Sequence, residues 1–187
     1  MAIIRSLTGE CYVAAVMTIS IAPHLVPLAG FAGLMATAAF EDLRRLIIPN
    51  GLVLGLCALW PLHVATAPML TLAAAGTAAL CAAAVFIVGA LLFSRGLIGG
   101  GDVKLLAVAT LWAGPTATVS LLILTSLLGG LLCLLLLTPV GALMAAARPI
   151  VRASRDPACA TKPVFVPYGV AIAAAALIVT IPPNFNW

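Results

Sequence analysis

The sequence predicts an all-α fold: a polytopic membrane bundle of six transmembrane helices, or of seven if an N-terminal stretch also crosses. Hydrophobic residues make up 64% of the 187 residues and charged residues only 7%, whereas soluble domains have about 45–50% and about 25%. The mean hydropathy is +1.26, and several apolar runs approach the roughly 20 residues that span a bilayer. This composition excludes an ordinary soluble domain, a disordered chain and a protein that binds nucleic acid through a basic face.

Six apolar spans follow one another, separated by short polar or Gly- and Pro-rich breaks. They cover residues 25–40, 52–67, 69–93, 105–113, 119–147 and 164–181. Gly114 and Pro115 separate the fourth span from the fifth. Residues 1–24 form an N-terminal extension, in which 11–22 is the candidate seventh helix, and residues 25–187 form one transmembrane domain.

The basic residues predict how the spans are oriented. Eight of the nine Lys and Arg residues lie in three loops, 41–51, 94–104 and 148–163, and the loops between them, near 66–68 and 114–118, have none. Cytoplasmic loops of membrane proteins carry an excess of Lys and Arg. The three basic loops are therefore expected to face the cytoplasm, and the net charge of +4 reflects topology rather than an anionic partner.

Two of the five acidic residues are candidates for chemistry. Asp42 and Asp102 each stand where an apolar span meets a basic loop, and two crossings separate them, so both are expected on one membrane face. A carboxylate at membrane depth is costly and marks a functional site by default. Two close carboxyl groups share a proton, because like charges do not both ionise. One can then accept a proton from water while the other donates to a carbonyl, as in aspartic peptide hydrolysis.

Three glycines, Gly99, Gly100 and Gly101, directly precede Asp102. Glycine permits close backbone approach and positive φ angles. A peptide bound in extended form beside the acid needs such freedom, so these glycines are predicted to bind substrate. The alternative is a plain interhelical loop, in which glycine is also common.

Three segments resemble the signatures of type IV prepilin peptidases, a family of GxGD intramembrane aspartyl peptidases. Residues 42–50 (DLRRLIIPN) resemble the first signature, in which an acid stands seven residues before Pro-Asn. Residues 99–105 (GGGDVKL) resemble the GxGD signature. Residues 166–172 (VPYGVAI) resemble the start of the last helix in the small CpaA/TadV-like branch.

The resemblance implies an aspartic-type endopeptidase of the bacterial inner membrane, with Asp42 and Asp102 as its catalytic pair. Such an enzyme would cut the basic leader from type IV (Flp-type) prepilins at the cytoplasmic face. The implied partners are a prepilin or pseudopilin substrate, membrane lipid and the pilus or secretion assembly machinery. Larger members carry CxxC motifs linked to N-methylation, and the five cysteines here form none. We therefore expect no methyltransferase activity, no zinc or other metal, and no cofactor.

Four further residues near these motifs are weaker candidates. Glu41 is one position out of the seven-residue register and is interpreted as an interfacial residue or a helper. Asn50 is expected to hydrogen-bond near the site or to cap the next helix. Lys104 is expected to set topology and to influence the acids. Tyr168 stands in an apolar run and needs a partner for its hydroxyl, which is either structural or close to the site.

A rival hypothesis is a small multi-pass ion or solute transporter subunit that uses the same two Asp residues as cation or proton sites. It favours acids deep within spans and broken helices in paired halves, and the sequence shows neither pattern. A third class, an inactive assembly scaffold, predicts that both acids are replaceable without loss of pilus formation.

Overall fold

A computed structural model describes residues 25–67, 71–138 and 166–181. This part of the chain is 88% helix and contains no strand. The helices are α1 (Leu25–Arg45), α2 (Asn50–Thr66), α3 (Leu72–Ser94), α4 (Gly100–Leu137) and α5 (Tyr168–Thr180). The all-α prediction is confirmed. The N-terminal extension, with its candidate seventh helix, and the whole of the third basic loop lie outside the described residues.

Three of the described helices, α1, α3 and α4, are long and apolar enough to cross a membrane, and α2 and α5 are shorter apolar helices. Large apolar side chains on the outside of the long helices are well exposed, such as Leu80 (70%), Leu127 (64%) and Leu134 (65%). Such an apolar outer surface suits contact with lipid. The backbone polar groups need no water there, because they are already paired within each helix. The total of six or seven spans stays a prediction.

Helix α4 is interrupted at Gly114, where φ is 72° and ψ is 176°. We call residues 100–113 α4a and residues 115–137 α4b. This backbone conformation is essentially restricted to glycine, and Pro115, which follows, suits the first turn of a new helix. The break predicted at Gly114 and Pro115 is confirmed.

The two segments of α4 fold back on each other. Asp102 and Leu106 from α4a line the same cavity as Leu122 and Thr125 from α4b. In one straight helix Asp102 and Thr125 would be about 35 Å apart, at 1.5 Å per residue. The positive φ of Gly114 thus turns α4 into a helical hairpin.

The core is centred on Trp112 of α4a, which is fully buried. Its ring stacks on Phe31 of α1 and His63 of α2, with centroid distances of 4.6 Å and 4.9 Å. Its indole Nε1–H donates to the carbonyl of Leu56 over 3.1 Å. Helix α5 packs on α4 with four alanines among its buried residues, and such small side chains let helix backbones approach closely. These contacts hold the ends of the helices in the arrangement that forms the site.

Candidate active site

A cleft of about 980 Å³ opens where the end of α1, the starts of α2, α4a and α5, and the loop between α3 and α4 meet. Both candidate acids and most of the other predicted site residues line it. The lining includes Asp42, Leu46, Ile48, Asn50, Phe93, Gly99, Gly100, Gly101, Asp102, Lys104 and Tyr168.

Asp42 lies in the last turn of α1 and is only 4% exposed. The backbone amide of Leu46 donates to the Asp42 carbonyl over 3.0 Å, and Leu46, at φ 53°, turns the chain away from the helix. On its other side the carboxyl meets α5 at Gly169. A Cβ added to Gly169 would lie only 2.8 Å from Asp42 Oδ2.

Asp102 is the third residue of α4a and is partly buried. The Val103 amide donates to the Gly99 carbonyl over 3.2 Å, which places the acid in the first turn. Free amide groups and the helix dipole favour negative charge at such a position. The carboxyl groups of Asp42 and Asp102 belong to residues that line the same cleft. The structure therefore brings into one cleft two acids that stand 60 positions apart in the chain.

The three glycines before Asp102 allow close packing rather than unusual backbone angles. Among the described glycines, only Gly96 and Gly114 have positive φ, so residues 99–101 use the close approach that glycine permits and not its positive φ. A Cβ on Gly100 would lie 3.2 Å from the Phe93 ring, and one on Gly101 would lie 3.3 Å from Ile48 Cβ. The start of α4a approaches its neighbours this closely because these side chains are missing.

Glu41 forms an ion pair with Arg45, with 3.3 Å between Oε2 and Nε, one turn apart on α1. The Glu41 side chain is 25% exposed and that of Arg45 is 72% exposed. Neither residue lines the cleft. Through this ion pair Glu41 supports the last turn of α1.

Asn50 and Lys104 connect two elements at the rim of the cleft. The Lys104 ammonium donates to Asn50 Oδ1 over 3.1 Å. The alternative that Asn50 caps α2 is wrong, because Pro49 is the N-cap residue and Asn50 is the first residue of the helix. This contact joins the start of α2 to the start of α4a.

Tyr168 begins α5 and lines the cleft. Its ring packs directly on Gly129 of α4b, where a Cβ would overlap it. Its hydroxyl makes no hydrogen bond to any described residue, so the structural partner expected from the sequence is not found in this part of the chain. The structure places Tyr168 beside the candidate site, which is the other position expected from the sequence.

Sequence reasoning missed the positioning contacts of Leu46, Gly129 and Gly169. Gly169 stands in the segment 166–172 that resembles the start of the family's last helix. A glycine beside a tyrosine in an apolar run is a recognisable sign of close packing. Leucine is not a residue that favours positive φ, so its identity did not indicate the turn at Leu46. Within the described residues no three His, Cys, Asp or Glu side chains are grouped as metal ligands.

Comparison with known proteins bears on this geometry. The family model described as the type IV leader peptidase family matches residues 29–134. The matched region runs from α1 into α4b and includes both acids and the three glycines. No curated protein and no solved structure gives a significant match. Because the family match covers more than half of the 187 residues, the chain belongs to the type IV leader peptidase family, as the sequence motifs predicted.

Proposed function

We propose that the chain is an intramembrane aspartyl endopeptidase that removes the basic leader from type IV prepilins, with Asp42 and Asp102 as its catalytic residues. The observation that carries the proposal is the meeting of these two acids in one cleft, from different helices. Membership of a leader peptidase family supports peptide hydrolysis as the reaction. The aspartic mechanism and the catalytic roles of Asp42 and Asp102 are proposed here in addition to the family membership.

The proposed reaction follows from the chemistry of a carboxyl pair that shares one proton. The ionised carboxylate takes a proton from a water molecule, and the water oxygen attacks the scissile carbonyl carbon. The protonated carboxyl donates to the carbonyl oxygen. The tetrahedral intermediate then collapses, the C–N bond breaks, and the leaving amine takes up a proton from the pair. Both acids are needed, since one activates water and the other polarises the carbonyl.

We infer that the cleft opens to the cytoplasm of a bacterial inner membrane. Arg44, Arg45, Arg95 and Lys104 lie beside it in the sequence, and Lys104 lines it. Basic residues accumulate on the cytoplasmic side. This orientation suits a substrate whose leader has not crossed the membrane. The proposed substrate is a Flp-type prepilin or pseudopilin, which is delivered to a pilus or secretion assembly machinery.

The α4 hairpin supports the prediction of six spans. Residues 100–113 rise about 20 Å at 1.5 Å per residue, so Gly114 lies about 20 Å from the cleft along α4a. In the proposed topology α4a and α4b each cross the membrane, and with α1, α2, α3 and α5 they make six. The cleft lies at helix ends rather than deep within spans, and no observation favours the transporter alternative.

The test uses purified full-length protein in liposomes and a synthetic peptide in which a basic leader precedes an apolar helix. We expect Asp42→Asn and Asp102→Asn each to lower kcat by at least about 100-fold, because loss of a general acid or base typically costs 10²–10⁴-fold. Glu41→Gln is the matched control. It should stay within about twofold, since Glu41 does not line the cleft and pairs with the exposed Arg45. Substantial leader release by either Asn variant, measured by mass spectrometry, contradicts the proposal.

A further inference from the structure

Tyr168 stands at the boundary between two spaces in the bundle. It lines the cleft that holds both acids, and it also lines an adjoining cavity of about 350 Å³ whose other side chains are mostly apolar. Ile98 and Asp102 line both spaces as well. The tyrosine side chain, which is half-buried, is therefore part of the wall of the candidate active site.

Contacts with neighbouring residues fix the position of Tyr168. The preceding residue, Pro167, is fully buried, and the next, Gly169, packs against the Asp42 carboxyl group. The ring lies on Gly129 of α4b, where an added Cβ would stand 2.8 Å from Cζ, the ring carbon that carries the hydroxyl. The hydroxyl is thus held at the α4b side of the site, whereas the two acids come from α1 and α4a.

The Tyr168 hydroxyl is accessible and makes no hydrogen bond to any described residue. Two other hydroxyls in the described helices, those of Thr125 and Thr180, are also unpaired, but their oxygen atoms are buried. The Tyr168 oxygen is not one of these buried atoms. Tyrosine hydroxyls usually have a hydrogen-bond partner, and a donor that is already held in place loses little entropy when it binds one.

The other polar side chains in the described lining of the cleft have partners or roles of their own. Asp42 and Asp102 are the proposed reacting groups, and Lys104 donates to Asn50 at the rim. Tyr168 is the polar side chain that remains in this part of the lining. An extended peptide that enters the cleft loses water from its backbone, and its carbonyl groups then need donors.

We propose that the Tyr168 hydroxyl binds the peptide substrate by donating a hydrogen bond to a backbone carbonyl next to the scissile bond. The inference rests on the proposed peptidase function. The scissile carbonyl itself receives its proton from the acid pair, so the tyrosine, on the α4b side, serves a neighbouring peptide unit. Because that carbonyl does not react, its hydrogen bond is equally strong in the bound substrate and in the transition state. Loss of such an interaction raises KM and leaves kcat unchanged.

The first test removes the hydroxyl and keeps the ring. We expect Tyr168→Phe to raise KM for the leader peptide by about five- to tenfold, as for the loss of one neutral hydrogen bond, with kcat within about twofold. The ring still packs on Gly129, so the thermal unfolding midpoint should not change.

Thr110→Val is the matched control for this change. It also removes a hydroxyl, but that of Thr110 is buried, donates to Leu106 within its own helix, and lines neither space. Both kinetic constants should stay within about twofold of those of the unmodified chain. An equal rise in KM for Thr110→Val and Tyr168→Phe would overturn the inference.

The second test moves the hydroxyl without removing it. Gly129→Ala adds a Cβ where the Tyr168 ring lies, whereas a Cβ on Gly130 meets nothing within 4 Å. We expect Gly129→Ala to raise KM and Gly130→Ala to leave it unchanged. In the Gly129→Ala background, Tyr168→Phe should have no further effect on KM, because the displaced hydroxyl no longer reaches the peptide. A further five- to tenfold rise there would contradict the proposed placement.

The third test changes the acceptor in the peptide and leaves the protein intact. The carbonyls on either side of the scissile one are converted in turn to thioamides, because sulfur is a weaker hydrogen-bond acceptor than oxygen. One of these peptides should raise KM about as much as Tyr168→Phe does, and it should show no additional rise with the Tyr168→Phe variant. Effects that multiply would overturn the inference, and this test decides the matter if Gly129→Ala does not fold.

A binding measurement separates this inference from the proposed function. The dissociation constant of a fluorescent leader peptide is measured on the Asp42→Asn variant in liposomes, with and without Tyr168→Phe. No cleavage is needed for this measurement. We expect Tyr168→Phe to raise Kd by about five- to tenfold, the same factor as for KM.

The outcomes are distinguishable. If Tyr168→Phe leaves KM and Kd unchanged while Asp42→Asn and Asp102→Asn abolish cleavage, this inference is overturned and the peptidase stands. If Tyr168→Phe lowers kcat and leaves KM unchanged, the hydroxyl acts on the reacting carbonyl and the inference is again overturned. If the unmodified chain cleaves nothing, or the Asn variants cleave normally, the proposed function fails, and the two Kd values alone then decide the inference.

Discussion

Gly169 determines where the Asp42 carboxyl group can lie. The carboxyl is buried against the α5 backbone at Gly169. It lies so close that a Cβ on residue 169 would clash with Asp42 Oδ2. On the other side of the cleft, Asp102 is held in the first turn of α4a, whose glycines let it pack closely on Phe93 and Ile48. The relative position of the two acids therefore depends on missing side chains as much as on the acids themselves.

Replacing Gly169 by alanine tests this dependence. The added Cβ would stand 2.8 Å from Asp42 Oδ2, so the carboxyl must move. We expect kcat to fall by about 100-fold, the effect of displacing a reacting group by about 1 Å, while the amount of protein in the membrane stays unchanged. Gly130→Ala in α4b is the control, because a Cβ there meets nothing within 4 Å. Equal kcat for Gly169→Ala and the unmodified chain would argue against this role.

The α4 hairpin brings Thr125 and Gly129 to the level of Asp102 and Tyr168. The reversal occurs at Gly114, whose backbone has φ 72° and ψ 176°. A side chain at such angles costs about 1–3 kcal/mol. The turn is thus a specific requirement of the fold, placed at the end of α4a furthest from the cleft.

We expect Gly114→Ala to lower the thermal unfolding midpoint in detergent, followed by tryptophan fluorescence. A loss of 1 kcal/mol corresponds to about 2–4 °C in a chain of this size, so a fall of roughly 2–12 °C follows from the cost of the strained conformation. Gly33→Ala, at an open position in α1, should not lower the midpoint. An unchanged midpoint for Gly114→Ala would show that the turn does not need glycine.

The sequence predicted the helices better than it predicted their ends. The break at Gly114 and Pro115 was predictable because both residues interrupt helices for known physical reasons. Hydropathy placed the helix ends near the site at residues 40, 52 and 105. In the structure α1 extends to Arg45, α2 begins at Asn50 and α4 begins at Gly100. Backbone hydrogen bonds continue into the polar residues at the interface, helped on α1 by the Glu41–Arg45 pair. Both acids consequently lie within helical turns.

The contacts around the acids were predictable only in part. The spacing of the two motifs identified Asp42 and Asp102 as a pair on one face, and the structure brings them together. The contact of Gly169 with Asp42 and the left-handed turn at Leu46 depend on how distant segments pack. No local property of a single residue type specifies such contacts.

In the molecule as a whole, one end of the bundle carries the cleft and the other carries the Gly114 turn. The first end holds the breaks between α1 and α2 and between α3 and α4, with three arginines and Lys104 near them. The turn end has no basic residue between 105 and 118. This asymmetry is the basis of the proposed orientation.

Cysteine labelling in cells tests the orientation. In a background lacking the five native cysteines, Arg95→Cys and Thr116→Cys both place a thiol at an exposed position, on opposite ends of the bundle. A maleimide that does not cross the inner membrane should label position 116 in intact spheroplasts and position 95 only after lysis. The reverse pattern would place the cleft outside the cytoplasm.

The central claim is that Asp42 and Asp102 act as one catalytic unit, and the most direct measurement of it is kcat for the two single Asn variants and for the double variant, on the same leader peptide. Residues that act together are strongly non-additive. We therefore expect the double variant to be no slower than the slower of the two single variants. Losses that multiply in the double variant, or substantial turnover by either single variant, would contradict the claim.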